Sequence, residues 1–180
     1  MKQLFLLLFT WIILPVNAQG KWNYSTHGKL MELEGTEYVI SSSKNYSKLS
    51  GKDENLLFIN TLTGKIKEVT FSKNRFINNV EHVKIDSLGI NKVIIKVSNI
   101  GNKLVWFAPY QITIASVDGS TTEQITNPNF FVDSYIVNKH TGIIVITGYE
   151  DTNNNMKYDK SDVPQILLYS LKEMKMMNIQ

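Results

Sequence analysis

Apolar and polar positions recur along this chain with a long period. The segments NLLFINTLTGKIKEVT from Asn55, QITIASVDGSTTEQIT from Gln111 and QILLYSLKEMKMMNIQ from Gln165 share one layout. Their starts lie about 55 residues apart, a spacing that marks stacked supersecondary units. Each has a polar amide, an apolar run, a Ser or Asn at its sixth position (Asn60, Ser116, Ser170), a polar turn, and an apolar step near its end (Val69, Ile125, Ile179). Upstream of each lies a compact β-branched or aromatic run: Tyr38 to Ile40, Val93 to Val97, and Ile143 to Ile146. A weaker strand and a glycine turn precede each run: Lys29 to Leu33 with Gly35, Val83 to Ile85 with Gly89, Tyr135 to Val137 with Gly142. Short apolar runs between turn formers predict strands rather than helices. Leu171 to Met177 is rich in helix formers, but its register with Thr61 to Lys67 predicts a hairpin.

Four antiparallel strands per unit, repeated in series, predict an all-β, β-propeller-like chain. Its three blades are expected at about 22–74, 75–127 and 128–180. Closed propellers take roughly four to eight blades, so three form an open arc or half of a six-bladed ring. Two apolar faces and open edges then remain, which predicts a homodimer or docking onto another propeller chain.

Ile112 to Thr126, ITIASVDGSTTEQIT, resembles the "strand, Asp-Gly turn, strand ending in Leu-Thr or Ile-Thr" core of TolB-type propeller repeats. The next segment, FFVDSYIVNKHTGIIVITGYED, is similar to that repeat's continuation, with Asp133 and Gly142 at the places of its Asp and Gly. At the turn between the first two strands, Asn138 to Gly142 stands where the family has Ser-Pro-Asp-Gly. The resemblance implies a fold and, by itself, no activity.

Lys2, an apolar run from Leu4 to Leu14 and Val16-Asn17-Ala18 before Gln19 predict a secretory signal peptide over residues 1–18. The run is too short to span a bilayer, which takes about 20 residues. With no cysteine in the chain, disulfides and a lipidated-cysteine anchor are excluded, and a secreted or periplasmic protein without a membrane anchor is expected. The formal charge of +3 is too mild to argue for a nucleic-acid partner.

The third unit carries an acidic loop, Asp151 to Asp162. With Asp151 as the first position, Asp151, Asn153, Asn155, Asp159 and Asp162 place oxygen side chains at the first, third, fifth, ninth and twelfth, and Lys157 offers its carbonyl at the seventh. This is the ligand spacing of an EF-hand loop, which wraps hard oxygen donors around calcium. Met156 stands where glycine makes the sharp turn, Asp162 replaces the bidentate Glu, and two ligands are neutral. These departures predict a modest affinity, with Kd roughly 10⁻⁴ to 10⁻³ M as in extracellular modules. The expected role of the ion is structural, pinning a long connection that has no core of its own.

Trp106, Phe107 and Tyr110 fall in the corresponding connection of the second unit, and exposed aromatics of this kind suit contact with a protein or glycan ligand. His27, His82 and His140 show no zinc spacing, and neither a cysteine nor a G-x-S-x-G nucleophile is present. The chain is therefore expected to be a secreted, non-enzymatic propeller-type binding or scaffold module stabilised by calcium. Its rivals are a propeller-based carbohydrate-active hydrolase or lyase, and an inactive fragment of a longer propeller protein.

Overall fold

The three hairpin turns that close the repeated pattern show how the sequence sets the fold. At each sixth position a side-chain oxygen accepts from the turn backbone: Asn60 Oδ1 from the amides of Leu62 and Thr63 at 3.1 and 2.9 Å, Ser116 Oγ from Thr121 at 3.0 Å, and Ser170 Oγ from Glu173 at 3.2 Å. Such local bonds favour a turn over continued strand. The left-handed residue each turn needs is Gly64 (φ 70°), Gly119 (φ 68°) and, in the third, Met174 (φ 52°). The repeat is thus a hairpin with a capped turn.

The computed structural model describes residues 24–47, 51–71, 75–98 and 109–178. They form three four-stranded antiparallel sheets, each meandering in chain order. Sheet 1 holds β1 (Tyr24–Glu32), β2 (Tyr38–Ser47), β3 (Gly51–Asn60) and β4 (Ile66–Thr70). Sheet 2 holds β5 (Ile77–Ile85), β6 (Ile90–Ser98), β7 (Tyr110–Ser116) and β8 (Thr122–Gln124), with one 3-10 turn at Asp86–Leu88. Sheet 3 holds β9 (Phe130–Asn138), β10 (Ile143–Glu150), β11 (Val163–Ser170) and β12 (Lys175–Met177). The propeller-like, all-β expectation is met, and Leu171 to Met177 is turn and strand, not helix.

Burial explains the stacking. Val93, Ile95, Val97 and Ala115 of sheet 2 pack with Leu33, Ile40, Leu56, Phe58 and Val69 of sheet 1. The opposite face of sheet 2, with Ile94, Ile112 and Ile114, packs with Phe130, Val132, Ile144 and Ile146 of sheet 3. Side chains on alternate sides of a strand serve opposite faces, so the unbroken run Val93-Ile94-Ile95 is buried throughout whereas β10 alternates buried and half-buried. Sheet 2 is the sandwich filling, and among the described residues sheets 1 and 3 each keep one free face.

The initial amides of the pattern differ in role. Gln111 is fully buried; its amide donates to the carbonyls of Phe130 at 2.8 Å and Pro128 at 3.3 Å, and its Oε1 accepts from Thr126 Oγ1 at 2.6 Å. It ties β7 to the link that leads into sheet 3, and a buried amide is tolerated because its groups are paired. Asn55 instead donates to Glu68 Oε1 within sheet 1 at 2.7 Å, and Gln165 is exposed.

The first strand of each unit is longer than its apolar residues imply, and most of Asn45 to Asn55 is strand, with β2 and β3 paired from Asn45↔Asp53 to Ser47↔Gly51. His82 lies within β5 and His140 in the turn after β9. Polar strand ends carry no apolar signal, so the strands run further than that signal shows.

Gly119 also marks where the sheet 2 hairpin meets sheet 1. A Cβ there would stand 2.7 Å from the Phe58 ring, whereas one at Gly64 would meet nothing within 4 Å. Gly119→Ala combines left-handed strain with overpacking and is expected to cost roughly 2–4 kcal/mol. Gly64→Ala, with strain alone, should cost about 1 kcal/mol. Denaturant melts of the two variants check this ordering; equal losses would show that the Phe58 contact contributes nothing.

Candidate functional site

The acidic loop grows from the ends of β10 and β11, where the ladder closes at Glu150↔Val163. Asp151 and Asp162, its first and twelfth residues, are both buried. The ladder holds the two carboxylates at the loop's base, while the residues between them are mostly exposed.

The loop's oxygens are turned toward its own backbone. Asp151 Oδ1 accepts from the Asn155 amide at 3.2 Å and Oδ2 from the Met156 amide at 2.8 Å. Asn153 Oδ1 accepts from the same Asn155 amide at 3.1 Å, and Asn155 Oδ1 from Lys157 at 2.7 Å. Asp162 Oδ2 accepts from the Asp159 amide at 2.7 Å. Each such oxygen has a second lone pair, so these bonds shape the loop without exhausting its donor capacity. Met156 adopts φ 57° and Asn154 φ 55°. The left-handed turn that glycine supplies in an EF-hand is made here by methionine, at a strain of about 1–3 kcal/mol.

Asp159 is the most heavily hydrogen-bonded group of the loop. Its Oδ1 accepts from Ser161 Oγ at 2.5 Å and from the Ser161 amide at 2.8 Å. Its Oδ2 accepts from the side-chain amides of Asn155 at 2.6 Å and Asn153 at 3.1 Å. Ser161, the leading cause, and then the two asparagines hold its carboxyl well below the usual carboxylate range. It stays ionised at any physiological pH.

One atom breaks this pattern of satisfaction. Asp162 Oδ1 is buried and has no hydrogen-bond partner. A buried carboxylate oxygen left alone costs about 1–3 kcal/mol or more, and such a group calls for an explanation. The same loop carries carboxylate, amide and carbonyl oxygens, the donor types that suit a hard cation such as calcium. Among the described residues no three His, Cys, Asp or Glu side chains converge as a metal cage. Any ion here therefore draws on Asn153, Asn155 and the Lys157 carbonyl as well as the aspartates.

Trp106 and Phe107 lie outside the described residues. Tyr110 opens β7, half-buried, with Lys96 Nζ 4.8 Å from its ring centroid. Around it gather residues that the sequence reading did not assign to a common site: Lys96 of β6, Phe131 and Asp133 of β9, Tyr149 of β10, and Met156 and Tyr158 of the acidic loop. Tyr149 stands just before the loop and Tyr158 within it, which was a usable signal. The placement of Lys96 and Asp133 depends on the packing of two sheets, and nothing local announces it.

No protein-family model matches this chain, and no curated protein matches it. Among solved structures it is similar to Pyrococcus horikoshii acylaminoacyl peptidase, at 9% identity and a TM-score of 0.49, over 86% of this chain and 24% of that one. The chain thus spans about a quarter of that enzyme's length, and the likeness carries no argument about what the chain does.

Proposed function

We propose that the chain is a secreted, non-enzymatic, TolB-like propeller-type module for binding or scaffolding, stabilised by one calcium ion in the Asp151 to Asp162 loop. The observation that carries the calcium reading is the buried, unpartnered Oδ1 of Asp162. Asp151, Asn153, Asn155, Asp159 and Asp162 would supply side-chain oxygens and Lys157 its carbonyl. A cation supplies the missing partner for Asp162 and offsets the like charge of three aspartates in one loop. A structural role is supported by the loop's place at the end of sheet 3, where Asn129 donates to Asn154 Oδ1 at 2.5 Å.

The scaffold part of the reading is supported by the free sheet faces. The residue four beyond each first-turn glycine packs toward the preceding sheet: Val93 after Gly89 onto sheet 1, Ile146 after Gly142 onto sheet 2. Its counterpart after Gly35 is Val39, which has no preceding sheet among the described residues. Beside it runs the cross-strand row Val39–Ile59–Ile66, with Ile66 61% exposed. On the far face of sheet 3 the row Ile136–Val145–Leu168–Met177 crosses all four strands, with Ile136 68% exposed. The two free faces are the two halves of the contact already used twice within the chain. Head-to-tail pairing of two copies through these faces would cover both, a heterologous contact of the kind that closes rings.

Two measurements test this function. Saturating calcium should raise the melting temperature of the wild type, since about a hundredfold excess over Kd adds roughly 2.7 kcal/mol. Asp162→Asn should remove the rise while leaving the chelator-treated melt near that of the wild type, and a wild type indifferent to calcium would end the calcium reading. In light scattering the wild type should run as a dimer and Ile136→Lys as a monomer of unchanged circular dichroism. A wild-type monomer at all concentrations would contradict the pairing.

A further inference from the structure

A cleft of about 330 Å³ opens between sheets 2 and 3 beside the acidic loop, within the size range of small-molecule sites. Its walls are Tyr110 and Lys96 on one side, Phe131, Asp133 and Tyr149 on the other, and Tyr158 at the lip. The backbone along its edge departs from a regular ladder. In the β9–β10 ladder Ser134 pairs Thr147 and Val132 pairs Gly148, so Asp133 is the extra residue of a β-bulge. Bulges re-aim groups that a regular ladder would hold. Here the Asp133 carbonyl accepts from Lys96 Nζ at 2.5 Å across the two sheets. Opposite the bulge only glycine fits, since a Cβ on Gly148 would stand 2.2 Å from the Phe131 carbonyl oxygen and 2.7 Å from the Phe130 ring.

The chemistry of the walls selects a class of ligand. Lys96 already lies over the Tyr110 face, which turns away a second cation. The Lys96 ammonium and the nearby Asp133 carboxylate carry opposite charges, so the pair offers little net charge to an anion. What remains is hydrogen bonding and aromatic surface. Lys96 has three N–H donors, of which the Asp133 carbonyl takes one. Tyr149 and Tyr158 meet edge to face at 4.5 Å and 62°, and Tyr158 is 52% exposed, presenting ring and hydroxyl together. A ligand matched to this has C–H faces for the rings and many hydroxyls for the amine and phenols, and no charge.

We propose that this cleft binds a neutral saccharide of about two sugar units, with the calcium loop forming one wall through Met156 and Tyr158. The dependence on calcium rests on the loop function proposed above; the saccharide specificity rests on the cleft alone. Residues that build the wall from the loop, rather than from a sheet, make the affinity sensitive to whether the loop is ordered.

The experiment is a titration of the full chain, in calcium and then in chelator, with cellobiose, maltose and N,N′-diacetylchitobiose, followed through tyrosine ring resonances. At least one disaccharide should give saturable shifts of Tyr110, Tyr149 and Tyr158. Binding should weaken about tenfold or more, near 1.4 kcal/mol, in Tyr158→Ala, in Lys96→Met and on removing calcium. Lys96→Met keeps the apolar stem, so its fold can be verified by an unchanged melt. Absence of saturable shifts from all three sugars, or saturation instead by N-acetyltryptophanamide at the same rings, overturns the proposal. A calcium-induced rise in melting temperature without sugar binding overturns the cleft proposal alone. Sugar binding indifferent to calcium overturns the coupling to the loop.

Discussion

Everything in this chain depends on burying both faces of sheet 2. A four-stranded sheet can be apolar on two sides only if something covers each, and here sheet 1 covers one face and sheet 3 the other. Val93, Ile94 and Ile95, three consecutive and fully buried residues, alternate between the two contacts. Burial of such side chains is worth about 1.5–3 kcal/mol each, so the middle of β6 anchors two interfaces at once. The outer sheets cannot read the same way. Each packs on one side, and what lies on its other side is decided by association or solvent.

The same logic separates what was legible in the sequence from what was not. Strand centres, turn positions and the three-unit period were visible because apolar runs and glycines mark them; the turn-capping Asn60, Ser116 and Ser170 stood out because they recur. The polar extension of β2 through Ser41 to Ser47 was invisible, since a run of serines and other polar residues resembles a loop. The acidic loop was legible because its side chains act through short-range spacing. The Lys96–Asp133 contact was not, because it joins residues of different sheets through a bulge that has no sequence mark of its own.

The loop concentrates features that the rest of the described chain avoids. It has two of the three non-glycine residues with positive φ, a buried oxygen without a partner, and an aspartate held acidic by four donors. Elsewhere buried polar groups such as Gln111 are fully engaged. Strain and unsatisfied polarity gathered in one segment are expected where binding supplies the compensating energy, and here the segment also forms a wall of the cleft between sheets 2 and 3.

The central claim is that this segment holds a cation, and equilibrium dialysis of the chain against radioactive calcium tests it most directly. The expected result is saturation at one ion per chain with a Kd of roughly 10⁻⁴ to 10⁻³ M, and loss of that site when Asp151 and Asp162 are both replaced by asparagine. Binding that never saturates, or one ion per chain retained by the double variant, would contradict it.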